Sequence, residues 1–373
     1  MTTDRFASDL QAALSRAPDS AWVRQGLALL GWGQATHIDP GTGVDRFDRA
    51  LRLLRATDAP LALASFTFDE NAGGSIAVVP DILIKIDASG TSFLIGGADD
   101  LPPPRLPTDF PRGRVLDSES SGWISDVERA LAAIRAREVE KVVLSRRLEV
   151  DLEGEIPAHV VLGNLVRGEP DSHTFLVDRF VGSSPELLIS LDQGIARSIS
   201  LAGSADLENR AGLRSFDSEK MLREHALAAD SVQDALAPFC VDLGRSPSRI
   251  ATYGDIRHLS TTFEGSTHPG TRITDLLSAL HPTAAVAGTP TKSAIELIRD
   301  LEKHERGRYA GPVGWLEPSG DGEFAIALRC GIIDGRRATL YTGAGLVEGS
   351  DPGLEFEETQ IKLGPMLGAL GLS

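Results

Sequence analysis

The strands of this chain come in runs, and that limits its fold more than any other feature. EFAIALRCGIIDGRRATLYTGAG, Glu323 to Gly345, reads as a hairpin turning near Asp334 and Gly335. TFLVDRFVGSSPELLISL, from Thr174, reads as two strands joined by a turn. PLALASFTF and SIAVVPDILIKI supply short β-type runs in the first hundred residues. Helical spacing is confined to separate stretches. SGWISDVERALAAIRAREVE leads straight into the strand KVVLSRRLEV, and FDSEKMLREHALAADSVQDALAPFC is a long helix with Asp217 or Ser218 as N-cap. TRITDLLSAL and TKSAIELIRDLEKHE are further helices. Consecutive strands with separate helices predict an α+β fold of large, mainly antiparallel sheets, packed together with helices outside. Strict βα alternation is missing, which argues against a Rossmann or barrel arrangement. The run LPPPRLP, Leu101 to Pro107, cannot be a central strand or helix interior. It sets off residues 1–120, a scaffold part of the same fold, from a catalytic region over 121–373.

A formal net charge of −16 and a pI near 5.0 argue against nucleic acid and against an anionic membrane surface as partners. Any anionic substrate must therefore meet local cations. Two cysteines, Cys240 and Cys330, fit a reducing compartment and no disulfide framework. No basic leader and no spanning apolar stretch is evident, so a cytoplasmic protein is expected.

The residues that suggest chemistry concentrate in the last third. In TGAGLVEGSDPGLEFEETQIK, two glycines read as a tight turn leading into a helix. On that helix Glu355, Glu358 and Lys362 fall within about 60° of one another. Carboxylates and an ammonium beside bare backbone suit a divalent cation and an anionic ligand. Lys141 begins a strand that looks buried; the bland reading is a solvated strand end, the functional one a desolvated base. Glu186, in GSSPELLIS, is either an exposed strand-end glutamate or a buried acid with a raised pKa. Glu224 sits mid-helix at the edge of the apolar side, paired with Arg223 or His225 on the bland reading. With Glu358 it would give Mg²⁺ the one or two protein carboxylates it usually takes. Arg329 alternates with Ala327 and Ala325, which predicts an inward-facing strand position suited to a carboxylate. Gly343 and Gly345 can offer backbone N–H groups to a second anion. HPTAAVAGTP, His281 to Pro290, is a small-residue loop between helices. No dinucleotide fingerprint, P-loop or Ser/His/Asp nucleophile set is present.

Taken together, the blocks resemble the chorismate-utilising enzymes, the family of anthranilate, aminodeoxychorismate, isochorismate and salicylate synthases. The resemblance covers Ser121 to Ser373. It rests on KVVLSR, GSSPELL, LAGS, SEKxxxEHA, RHLSTTFEG, LHPTAAVAGTP, YAGPVGW, GEFAIALRC, YTGAG and EFEETQIKL in the family's order. It implies the chorismate-binding fold and, within the family, isochorismate synthase chemistry. Lys141 stands where water-using members carry a lysine base, and Ala202 where aminodeoxychorismate synthases carry a nucleophilic lysine.

The roles it implies are these. Mg²⁺ is held by Glu224 and Glu358, with Glu355 assisting. Lys141 activates water and Glu186 protonates the departing hydroxyl. Gly203 and Ser204 present N–H groups to the ring carboxylate of chorismate. Arg329 and Tyr309 hold the enolpyruvyl carboxylate near Gly343, Gly345 and Lys362, and His258 matches an active-site histidine. Met221 departs from the pattern, since relatives often carry an acid there. Tyr309 and Leu328 are shared with salicylate synthases, whereas Ala285 and Tyr341 favour release of isochorismate. The implied protein is a monomer without a glutamine amidotransferase subunit, feeding menaquinone or aryl siderophore synthesis. A catalytically silent homologue is the alternative from another class.

Overall fold

A computed structural model describes residues 2–105, 112–116, 120–206, 219–254 and 256–372, without side chains for 2–4, 120–121 and 204–206. Leu106 and Pro107 of the proline run, and the candidate caps Asp217 and Ser218, lie outside the described residues. Eleven strands form one sheet and ten a second, and every described pair is antiparallel. Helices flank the sheets, and among the described residues none is long and apolar enough to cross a membrane.

Strand alternation explains where the core lies. Trp22, Phe175 and Phe180 of the first sheet join Leu63, Ile189 and Phe324 of the second in one buried cluster. Their chain neighbours Ala21, Leu176 and Val181 point to the opposite face of the first sheet. There they pack with Leu10, Leu162 and Leu165, and with Leu363 and Met366 of the helix Pro352–Ala369. Both faces of this sheet are covered, which is why its strands read as nearly unbroken apolar runs. Strands of the N-terminal part enter both sheets: Ser20–Arg24 pairs with His173–Val177, and Ala62–Ser65 with Pro312–Leu316.

Two features of the centre differ from the sequence expectation. The stretch from His173 to Asp192 holds three strands, not two: His173–Val177, Phe180–Ser184 and Leu187–Asp192. The first two belong to one sheet and the third to the other. Pro185 has no N–H for a ladder, so pairing stops there and the chain changes sheets. It changes back between Gly322–Ile326 and Cys330–Asp334. The crossings bond to each other, Ile326 N–H to the Glu186 carbonyl and Ser183 N–H to the Arg329 carbonyl, each at 3.1 Å. Glu186 and Arg329 therefore lie on two adjoining crossings, each outside the strands of either sheet.

Candidate active site

The crossings set two of the predicted side chains in a dry environment. Glu186 is 4% exposed, and its Oε1 accepts the Leu201 N–H at 3.1 Å. Burial pushes its carboxyl up to about 7, against the pull of that hydrogen bond and of the Lys141 and Lys362 charges. Arg329 is buried as expected but does not sit in a strand. It lies in the crossing with φ +44°, a left-handed conformation that non-glycine residues rarely adopt. Its Nη1 lies 3.2 Å from Glu169 Oε2 and its Nη2 3.3 Å from His258 Nε2. Burial, aided by the Arg329 and Lys362 charges, holds His258 well below the ordinary histidine range. The ring is neutral, and its Nε2 lone pair can accept from the guanidinium.

Lys141 is no solvated strand end. It opens the strand Lys141–Leu152 between Thr289 on one side and Val347 on the other, 1% exposed, with Nζ 3.5 Å from Glu224 Oε1. Glu224 thus pairs with neither of its chain neighbours. Arg223 faces Glu140 and Glu348, and His225 Nε2 meets Thr261 Oγ1 at 2.8 Å. One turn earlier Met221 packs against Leu259, so apolar contact fills the position where relatives often place an acid.

Gly343 and Gly345 are not in a turn. They belong to the strand Arg337–Val347, and the turn follows at Glu348 and Gly349. The strand continues because eleven residues pair with the Lys141 strand, which overrides the turn propensity of Thr-Gly-Ala-Gly. A Cβ on Gly345 would lie 2.5 Å from Glu224 Oε1, and one on Gly343 would lie 2.9 Å from Tyr309 Oη. Close approach, not turn geometry, excludes side chains here. Val143 donates its N–H to Ala287 and Ser145 donates to Glu302 Oε1, both away from the glycine strand. Their register partners Gly345 and Gly343 are therefore non-hydrogen-bonded pairs in this ladder. Both glycine N–H groups point to the edge that Cys330–Asp334 vacates beyond Tyr341. On that edge Lys362 donates to the Gly343 carbonyl at 3.1 Å and pairs with Glu358 at 2.7 Å.

Glu355 is buried one turn before Glu358, where Lys220 reaches across to it. The contact ties the helix Glu219–Leu236, which carries Glu224, to the helix that carries Glu358. Among the described residues no three His, Cys, Asp or Glu side chains group as a ready metal cluster. Tyr309 stacks on Tyr341 at 5.4 Å and 12°, and burial raises its hydroxyl pKa. Gly203, at φ +72°, sits where the strand Ile195–Asp206 bulges against His258 and Leu259. Ser204 is opposite His258 in backbone register, and its side chain lies outside the described part.

Glu186, Gly203, Glu224, His258, Tyr309, Arg329, Gly343, Gly345 and Lys362 line one pocket, with a cavity volume of about 80 Å³. Lys141 meets it through Glu224, and Glu358 through Lys362. Ala285, Leu328 and Tyr341 also line it. Two contributors were not read from the sequence. Arg306 clamps the Val143 and Val286 carbonyls while paired with Glu302, a link that the i, i+4 spacing in LEKHER could have suggested. Glu169 is the other, and nothing in GEPDS marks it. The site offers a buried carboxyl with a raised pKa, a buried lysine, a guanidinium, and two further carboxylates each held beside a lysine.

A family described as chorismate binding enzyme matches residues 104–371. The isochorismate synthase MenF of Bacillus subtilis is 37% identical over 265 residues, 68% of this chain and 56% of its own length. The chain thus matches little more than half of that relative. The isochorismate synthase DhbC of the same organism is 33% identical over 353 residues, covering 88% of this chain and 85% of the relative. Among solved structures, Bacillus anthracis DhbC, described provisionally as a 2,3-dihydroxybenzoate-specific isochorismate synthase, superposes with a TM-score of 0.84 at 27% identity. That superposition covers 99% of this chain and 100% of the other. The menaquinone-specific MenF of Escherichia coli shares the fold, with a TM-score of 0.78 at 24% identity over 97% and 91% of the two chains.

Proposed function

The chain belongs to the chorismate-binding enzyme family, and from that premise we propose that it is an isochorismate synthase, adding water at ring carbon 2 of chorismate as the carbon 4 hydroxyl departs. The observation that carries this reading is Glu186, a carboxyl whose pKa burial raises to about 7, placed in the same pocket as Glu224, which pairs with Lys141 behind it. Such a group can deliver a proton to a leaving hydroxyl, the step that turns a poor leaving group into water. Lys141 is the base in its neutral amine form: it takes the proton of the attacking water and so becomes the ammonium that pairs with Glu224. The ring double bonds shift as one C–O bond forms and the other breaks, so the reaction is an isomerisation with no net gain or loss of water.

The anionic ends of the substrate have separate holders in this reading. Arg329 and Tyr309 receive the enolpyruvyl carboxylate, beside Lys362 and the open N–H edge of Gly343 and Gly345. Gly203 and Ser204 offer backbone N–H groups to the ring carboxylate, and neutral His258 backs Arg329. The donor set fits Mg²⁺: Glu224 and Glu358 each already hold a positive charge at 3.5 and 2.7 Å, and two carboxylates plus water and substrate oxygens are its usual complement. Bound there, the ion would fix the ring carboxylate and offset its repulsion from the two glutamates. Glu355 supports that set from the Lys220 contact. The enzyme acts alone, as a monomer with water as its nucleophile, and its product serves menaquinone or aryl siderophore synthesis.

Incubation of the purified protein with chorismate and Mg²⁺, with products resolved by chromatography over time, tests this. Isochorismate rising to a fixed ratio with chorismate is the expected result. Salicylate and pyruvate in equal amounts would instead make the protein a salicylate synthase, in keeping with Tyr309 and Leu328 in the pocket wall. No turnover would leave a silent homologue.

A further inference from the structure

Lys141 and Lys362 are neutralised by Glu224 and Glu358, the carboxylates assigned above to the metal. Arg329 is neutralised differently. Its partner, Glu169, does not line the substrate pocket; it borders a separate cavity beside the helix Ala158–Gly168. We infer that Glu169 is a positioning residue that aims the Arg329 guanidinium at the substrate carboxylate, an inference that rests on the carboxylate-binding role proposed for Arg329.

The geometry is well fixed on the glutamate side. Glu169 terminates its helix with its N–H on the Leu165 carbonyl at 2.8 Å, and its own carbonyl receives the Ser172 N–H at 3.1 Å. Its carboxylate lies against Gly254, where a Cβ would come within 3.0 and 3.2 Å of the two oxygens, and that glycine has φ +57°. A helix end, a tight turn of the second sheet and the sheet crossing thus converge on one ion pair. Both side chains are nearly sealed, at 5% and 9% exposure.

Arg329 needs such an anchor. Its backbone is in the left-handed region, which a non-glycine residue keeps only when its surroundings hold it there. A guanidinium carries five N–H donors in a rigid fork. Glu169 engages Nη1 and His258 lies beside Nη2, so the plane of the fork is set before substrate arrives. Arg329 itself lines the pocket, so its fork is placed at the substrate side with the plane already set. Without Glu169 the fork would turn freely about its long side chain, and a buried charge would lose its partner.

The test is steady-state kinetics of Glu169→Ala and Glu169→Gln beside the wild type, with melting temperatures recorded for each. The expected result is a KM for chorismate about tenfold higher in Glu169→Ala with kcat within about threefold, the pattern of lost binding and not lost chemistry. Glu169→Gln should recover most of this, because its amide oxygen can accept the same N–H. Adding Glu169→Ala to Arg329→Lys should do little further harm, since the two residues act as a unit. An active wild type whose KM is unchanged in Glu169→Ala overturns the inference and leaves the proposed function standing. So does a fall in kcat and melting temperature at constant KM, which marks a purely structural residue. Should Glu169→Ala not fold, Glu169→Asn, one methylene short of Arg329, replaces it and is read the same way. A wild type that converts no chorismate removes both readings together.

Discussion

The pocket has two walls made by opposite means. On the crossing wall, Glu186 and His258 are deeply buried, and desolvation disfavours their charged forms: the acid rises to about 7 and the histidine is held well below its ordinary range. On the helix wall, Glu224 and Glu358 stay partly exposed, each against an ammonium. In the proposed reading, desolvation tunes proton chemistry on the first wall, and charge pairing preserves carboxylates for a cation on the second. The comparison teaches that similar glutamates can take up acid and metal-binding roles through placement alone.

The strongest way to break this division is Glu186→Gln. The amide keeps the shape and can still accept the Leu201 N–H, but it has no proton of this kind to give. Isochorismate formation should fall about 10²- to 10⁴-fold with the fold intact. A variant that retains most activity would take the acid role away from the crossing wall. Gly345→Ala attacks the other wall. A methyl group 2.5 Å from Glu224 Oε1 and 3.3 Å from Lys141 Cε must push both aside. A displacement of about 1 Å in such a site can cost about 10²-fold, and the Mg²⁺ concentration giving half-maximal rate should rise with it. Unchanged metal dependence would mean that Glu224 does not serve the cation.

The pH profile sharpens the contrast. If protonated Glu186 is the acid, kcat/KM should decline as pH rises through about 7, by about tenfold per unit beyond it. The sign for stability follows from the same shift. The folded value is raised above the unfolded one, so the contribution of Glu186 is complete below about 4.5 and is lost as pH rises through about 7. Glu186→Gln should therefore gain in melting temperature relative to wild type on going from pH 5 to pH 8. A constant difference would mean that this carboxyl is not desolvated.

Much of this was legible in the sequence, and the parts that were not have physical reasons. Runs of consecutive strands announced antiparallel sheets because local alternation and turn chemistry are written in adjacent residues. The blocks around Lys141, Glu186, Glu224, Arg329 and Lys362 pointed to one site before any geometry was known. What escaped was non-local. The change of sheet at Pro185 looks like an ordinary turn, because burial on both sides gives the same apolar pattern whichever sheet a strand joins. Arg329 appeared to alternate with two alanines, yet its position is set by a left-handed residue between sheets. Gly343 and Gly345 read as a turn because the eleven-residue ladder that straightens them comes from a strand nearly two hundred residues earlier. Glu169 had no local signal at all, since its partner is 160 residues away.

The smallest predicted effects concern ion pairs that hold the helix wall without touching substrate. Lys220 meets Glu355, whose side chain is 1% exposed while the lysine is 20% exposed. Replacing Lys220 with Met removes a cation from a buried carboxylate but lets water reach the vacated side, so the full cost of breaking a buried pair should not appear. A loss of about 1–2 kcal/mol is expected, below the range for sealed pairs. Because this contact joins the helices bearing Glu224 and Glu358, a higher Mg²⁺ concentration for half-maximal rate should accompany the stability loss. Arg197 and Glu264 form the internal control: a pair of 2.7 Å on adjacent strands with both side chains about half exposed. Its short distance would suggest strength, but solvent screening and side-chain entropy leave such pairs worth about 0–1 kcal/mol. Arg197→Ala should therefore shift denaturant midpoints little and leave the metal response alone. If the two substitutions proved equal in both readouts, burial would not be what distinguishes the Lys220 contact, and the helix wall would not depend on it for its shape.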